Sequence, residues 1–305
     1  MKIEELINAW FSRNEDIASR LATFAGSPAV FLDEAPSDSQ AGWGTENHYP
    51  HIVTTVSLQI DSERKSQGLL RVSLICDVLE TAPEDIEPLI RSALKDIVMQ
   101  PDDNPPFCFA WQATNTFSLG VSEGNQREGV KRLAACEVVF DVLEYPIQPT
   151  ISPDPAWGIR EAIKREFQST FVLGVDGIDN YQVATEEQPI IYVRMTGEEL
   201  DHALYSTVWN IAHLSIHVIA PTADSRVLWA REIYSLVCGM GKVILDDDSP
   251  MVIRSIQVNA RVDYLRVGQI TVDGLFSCVS PRVQEWKRPA ITKANARPDW
   301  GQDGA

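Results

Sequence analysis

His213 and His217 alternate with Ser215 along one run, on the face opposite Leu214 and Ile216. Side chains placed so could converge on a metal, yet no cysteine or carboxylate accompanies them at ligand spacing, and two ligands do not make a site. His48 and His51 flank Pro50 beside a polar loop and read as surface residues. Gly120-Val121-Ser122-Glu123-Gly124 has the letters of a nucleophile elbow without the strand-to-helix setting that exposes the serine. Asp246-Asp247-Asp248 could touch a cation, but it lacks the glycine and closing glutamate of a calcium loop and reads as a solvated turn. The chain contains neither a Gly-rich phosphate loop nor a His-Glu-x-x-His motif. It is therefore expected not to be an enzyme, and to carry no metal, nucleotide or organic cofactor.

The bulk properties agree with a non-catalytic role. With 305 residues the chain is long enough for two domains that each bury a core. A formal net charge of −17 argues against a nonspecific grip on nucleic acid, which needs clustered Lys and Arg. That charge does not exclude DNA passing by as cargo, since an acidic wall would repel it and let it slide. Cys76, Cys108, Cys136, Cys238 and Cys278 are odd in number and widely spaced, and read as buried reduced thiols. No apolar run approaches the ~20 residues needed to span a bilayer, and the acidic N-terminus is unlike a secretory signal, so a cytoplasmic origin and no membrane partner are expected.

The elements repeat at a period of roughly 140 residues. In the first copy Ile3, Leu6, Ile7, Trp10, Ile17 and Leu21 mark a helix, and Ala29–Leu32 a short strand. Period-two runs through Ile52–Ile60 and Leu70–Cys76 form a hairpin. Pro83 then opens a second helix carrying Ile86, Leu89, Ile90, Leu94 and Ile97, and two strands close the unit around Phe107–Leu119 and Val130–Tyr145. The second copy follows a Pro-rich joint. Ile159, Ile163 and Phe167 mark its first helix, Ile190–Met195 and Val208–Val218 its strand pair, Val227–Val237 its second helix, and Met251–Val258 and Gln269–Val279 its closing strands. Pro50 and Pro189 each precede the first long strand, a position that tolerates proline. The expected fold class is α+β: two tandem two-layer domains, 1–145 and 156–280, each about four antiparallel-type strands with two helices on one face, joined by a linker at 146–155. Residues 281–305, with Trp286, Arg288 and Trp300, read as an extended C-terminal arm.

This order of elements, with a proline before the first long strand and a long closing strand, resembles the tail terminator (tail completion, head-tail joining) proteins of tailed bacteriophages. The resemblance implies a virion structural protein that forms a homo-oligomeric ring, caps the tail tube, stops tail polymerisation and meets the head-tail connector in the neck. Family members have a single domain and this chain is double, so three or six chains could build the ring. Another neck or baseplate-proximal component, an enzyme on a two-domain scaffold and a monomeric adaptor are the alternatives. The residues expected to meet protein partners are Arg64 and Lys65 in the loop 61–68, Glu186 and Glu187, and Trp286, Arg288 and Trp300 of the arm. The stretch 196–207 is expected to be a second partner-facing loop.

Overall fold

A computed structural model of the protein describes residues 1–44, 48–59, 68–102, 104–123, 130–148 and 151–279, apart from the side chains of 120–123 and 130–131. The first half runs α1 (Ile3–Arg13), α2 (Glu15–Ala18), β1 (Thr23–Phe24), β2 (Ser27–Pro28), β3 (Val30–Leu32), β4 (His51–Leu58) and β5 (Gly68–Asp77). A 3-10 turn (Pro83–Asp85) then leads to α3 (Glu87–Ala93), β6 (Ile97–Met99), β7 (Phe107–Glu123) and β8 (Val130–Glu144). The second half runs α4 (Pro155–Glu166), β9 (Phe171–Val172), β10 (Tyr181–Val183), β11 (Ile190–Ala203), β12 (Thr207–Ile219), α5 (Ala223–Met240), β13 (Lys242–Ile244), β14 (Pro250–Val258) and β15 (Ile270–Val279). Among the described residues no helix is long and apolar enough to cross a membrane.

The two halves build sheets of one topology. The first sheet has the order β10-β6-β7-β8-β5-β4-β3 and the second β13-β14-β15-β12-β11-β9. Each begins with a short strand parallel to the next, β3 on β4 and β9 on β11, and continues antiparallel. The last hairpin of each carries a one-residue bulge on its first strand. The β7–β8 register steps from Trp111↔Phe140 to Ala113↔Val139, and the β14–β15 register from Ile253↔Gly274 to Ser255↔Asp273. Such bulges bend and twist a strand, which suits sheets that curl into half-barrels.

Helices cover one face of each sheet. In the first half Ile7, Phe11, Ile90 and Leu94 pack on Leu70, Val72, Leu74, Val138 and Phe140. Ile159, Ile163, Ile233 and Val237 meet Val193, Leu214, Ile216, Val272 and Met251 in the second.

The expected two-layer α+β domain with four strands is corrected. The protein is mostly β, at 44% strand against 22% helix, and its two large mixed sheets are curled. Short strands explain the difference: β3, β6, β9, β10 and β13 span two or three residues each, too few to show a period of two. Ile97, placed by periodicity at the end of a helix, lies in β6. The stretch 196–207 is largely strand, since β11 continues to Ala203 and only a tight turn separates it from Thr207.

Candidate functional site

A set of buried polar side chains converges where the two halves meet. β10, from the second half, adds to the outer edge of β6 in the first sheet. Behind it lies a third apolar core. Val98, Cys108, Ala110, Leu143 and Tyr145, on the face of the first sheet opposite its helices, pack against Phe171, Leu173, Ile190, Tyr192, Ile219 and Leu265 of the second half.

The chain between β14 and β15 folds back over β12 to close this seam. Asp263 shapes it: its carboxylate accepts from the backbone N–H of Leu265 (2.9 Å) and Arg266 (3.1 Å) and pairs with the Arg266 guanidinium at 2.6 Å. Gly268 has φ +85°, and a Cβ there would overlap the Ser215 hydroxyl, so glycine lets the segment lie on the sheet. From this platform Arg266 reaches across to Asp141 of β8. Tyr264 donates its hydroxyl proton to Asp96 (2.6 Å) and is itself covered by the Arg226 guanidinium, 4.1 Å from the ring centroid. Tyr145 donates to the Leu265 carbonyl (2.8 Å) and stacks on Tyr192 at 4.7 Å.

His217 is buried in this network. Its Nδ1 donates to the Tyr264 carbonyl at 2.8 Å while Nε2 has no partner. Burial and then the Arg194 charge lower its pKa to about 4, so it is neutral at pH 7. Burial raises the Asp96 carboxyl above its ordinary range, against the opposing pull of its Tyr264 hydrogen bond, Lys95 and Arg226.

A cleft of about 680 Å³ opens beside the seam, between α3, β7 and the segment Arg261–Arg266. Phe109, Trp111, Phe140 and Leu265 give it an apolar floor. Three of its cations already have carboxylate partners: Arg91 with Glu87 (3.7 Å), Lys95 with Asp96 (3.7 Å), and Arg266 with Asp141 and Asp263. The charges of these three are compensated locally.

The residues singled out for chemistry are held apart. His213 donates through Nδ1 to Asp273 at 2.7 Å, and Ser255 donates to the other oxygen of Asp273 at 2.6 Å. The carboxylate stands between histidine and serine, so the imidazole cannot take the serine proton as a triad base does. His217 faces the seam instead, and among the described residues no three His, Cys, Asp or Glu side chains gather to hold a metal. His48 and His51 are buried, contrary to the surface expected for them. His48 stacks on Trp43 at 4.7 Å, and the Nδ1 of His51 lies 2.9 Å from the His48 carbonyl. Gly120–Glu123 continue β7 and pair with Val130–Leu133, so no strand-to-helix turn forms there. Asp246 accepts from the Asp154 backbone N–H at 2.6 Å and ties the turn to the start of α4. Cys76, Cys108 and Cys136 are buried free thiols, but Cys238 is exposed on α5.

Of the residues expected to meet partners, Glu186 and Glu187 lie on the exposed turn between β10 and β11. Glu186 accepts from the Trp229 indole (2.8 Å) and from Thr222 (3.3 Å), which anchors that turn to the start of α5. Arg64, Lys65, Trp286, Arg288 and Trp300 lie outside the described residues. No protein-family model matches the chain, and no curated protein or solved structure matches it. The seam residues Tyr145, Tyr192, Asp96, Asp141 and Arg266 were not singled out by sequence. Their signal is a strand apolar on both faces, as in Ile190-Ile191-Tyr192-Val193 and Phe107-Cys108-Phe109-Ala110, which must be covered on both faces.

Proposed function

We propose that the chain is a structural subunit that assembles with copies of itself into a closed ring. Following its resemblance to tail terminators, we place that ring in the neck of a bacteriophage virion, capping the tail tube and joining it to the head-tail connector. The observation that carries this reading is the seam. It joins two repeats head to tail, the helix-free face of the first sheet's β6, β7 and β8 against the β11–β12 face of the next. A contact of this heterologous kind can pass from repeat to repeat and, when the rotation closes, leaves no free end.

Two features support the placement. Each half presents the order helix, hairpin, helix, hairpin: α1, β4–β5, α3, β7–β8, then α4, β11–β12, α5, β14–β15. The net charge of −17 suits a channel wall that DNA passes without adhering. The test is a particle reconstruction combined with a deletion of the gene. Tails of uncontrolled length that fail to join heads are the expected result, and normal tails with the protein absent from the neck would end the proposal.

A further inference from the structure

The tip of the β11–β12 hairpin is not a plain solvated turn. Residues 198–206 are all exposed, and they include Leu200, Leu204 and Tyr205 at 63%, 59% and 73%. Large apolar side chains held out together on a projecting tip mark a contact surface. Glu198, Glu199 and Asp201 stand among them. Glu198 accepts from the Asn210 amide, and Glu199 and Asp201 lie beside His213 and His202. Among the described residues no lysine or arginine pairs with any of the three carboxylates. The tip is thus apolar and acidic at once.

The cleft beside the seam offers the complement. Phe109 and Leu265 lie in its floor, and Trp111, 48% exposed, has the Arg91 guanidinium 4.8 Å from its ring centroid. Four of its lining residues are basic and one is acidic, whereas the whole chain has 26 Lys and Arg against 43 Asp and Glu, so basic residues are concentrated here. Arg91, Lys95 and Arg266 have carboxylate partners. Arg261 is exposed and has none among the described residues. β7 borders the cleft where its outer edge, past Cys108, has no strand partner among the described residues. An open edge gives an incoming segment backbone donors and acceptors.

A chain cannot fill its own cleft with its own tip. His217, near one end of β12, donates to the Tyr264 carbonyl of the cleft wall, and the tip lies beyond Thr207 at the other end. The strand between them rises roughly 30 Å. We infer that the β11–β12 tip of one copy enters the cleft of a second copy, with Leu204 and Tyr205 on Phe109, Trp111 and Leu265 and a tip carboxylate on Arg261. This rests on the reading of the chain as a self-assembling subunit and names the surfaces that join. Tip and cleft are different surfaces, so the contact is heterologous and can pass from chain to chain until a ring closes.

The test uses the full chain, its mass in solution followed by light scattering. The wild type is expected to be oligomeric. A tip variant carrying Leu204→Ser with Tyr205→Ser, and a cleft variant carrying Arg261→Glu, change only exposed side chains and should keep the wild-type melting temperature. Each is expected to be a monomer. Mixed together, the two supply one intact tip and one intact cleft and should form a dimer and nothing larger. Either variant assembling like the wild type would overturn the docking while leaving a ring built through other surfaces. A monomeric wild type would overturn both the docking and the self-assembly on which it rests, and would leave the cleft to a different acidic partner. The expected dimer from a protein absent from the virion neck would support the docking and refute only the placement.

Discussion

The two halves share a sheet and differ in what they do with its last hairpin. In the first half β7 and β8, 17 and 15 residues long, stay paired to Glu123↔Val130, past the end of β5 at Asp77↔Leu133. In the second, β14 and β15 are 9 and 10 residues long, and the chain between them lies down on β12. Beyond Cys108 the outer edge of β7 has no strand partner among the described residues, and Phe117 and Leu119 are exposed on it. Where one repeat must accept another, the hairpin becomes a cover with a hydrogen-bonded polar interior. Where no repeat precedes within the chain to be accepted, the same hairpin projects, its edge twisted by bulges between Trp111 and Ala113 and between Ser118 and Gly120, a feature that discourages indiscriminate strand pairing.

The largest effect should come from the seam itself. Tyr192 is among the largest fully buried side chains; it stacks on Tyr145 and donates to the Pro146 carbonyl at 2.8 Å. Tyr192→Ala is expected to cost about 3–5 kcal/mol and to split one unfolding transition into two, because each half keeps its own core. Calorimetry would show this directly, and a single transition shifted by less than a degree would mean that the seam does not couple the halves.

Acid should loosen the same junction. His217 titrates near 6.5 in the unfolded chain and at about 4 in the fold, where burial and then Arg194 oppose the proton, while its backbone hydrogen bond to Tyr264 and the Asp263 carboxylate favour it; Tyr145 and Tyr192, whose rings lie against it, carry no charge. Above pH 6.5 it is neutral in both states. Between 6.5 and 4 the unfolded chain binds the proton and the fold does not, so stability falls with pH across that window by about 3 kcal/mol and the loss levels off below it. Asp96 acts in the opposite sense. Its raised pKa contributes stability below the ordinary carboxylate range that is lost as pH rises through its folded value, which offsets part of the acid loss. Urea titrations of wild type and His217→Gln from pH 7 to 4 check the sign: the variant should show the flatter curve, and identical slopes would remove His217 as the cause.

The repeat could be read from the sequence because its long strands carry a full period. Leu70, Val72, Leu74 and Cys76 all point inward, as do Leu214, Ile216 and Val218. The curl could not be read, because it depends on bulges at Gln112 and Arg254 that shift register without changing composition. Short strands were hidden for a related reason: β10 is only Tyr181-Gln182-Val183, and nothing in three letters says that they join the other half's sheet. The candidate site was obscured by the same physics. Asp96 meets Tyr264, and Asp141 meets Arg266, across separations of 168 and 125 residues, so no local spacing brings them together.

A smaller effect separates the halves inside their cores. Phe140 of β8 corresponds to Gly274 of β15, and the space that the ring occupies in the first half is taken in the second by Met251. A Cβ at Gly274 would overlap the Met251 sulfur, and Met251 is fully buried. Gly274→Ala is expected to cost about 1–3 kcal/mol, with most of the cost absent when Met251 is already Ala. A double-mutant cycle in urea measures that coupling, and additive losses would show that the two residues do not share the space.

The smallest contrast lies at the second helix of each repeat. α5 opens at Thr222, whose hydroxyl accepts from the Ser225 N–H at 3.1 Å while Ser225 answers the Thr222 N–H at 3.2 Å. The equivalent start in the first half has no side-chain cap: Ala82 stands before the 3-10 turn and Ile86 before α3, and neither satisfies an N–H through its side chain. Thr222→Ala should therefore destabilise by about 1 kcal/mol. Ala82→Asp should stabilise, since Ala82 already has the extended backbone of a cap (φ −77°, ψ 139°) and Pro83 follows it in the first turn. The gain should be smaller than the loss at Thr222, about 0.5 kcal/mol, because the turn that it would cap ends after three residues, whereas α5 continues for 18. Equal and opposite changes in urea midpoint would show that the two helix starts are energetically alike; a gain at Ala82 limited to a fraction of the loss would tie cap strength to the length of helix behind it.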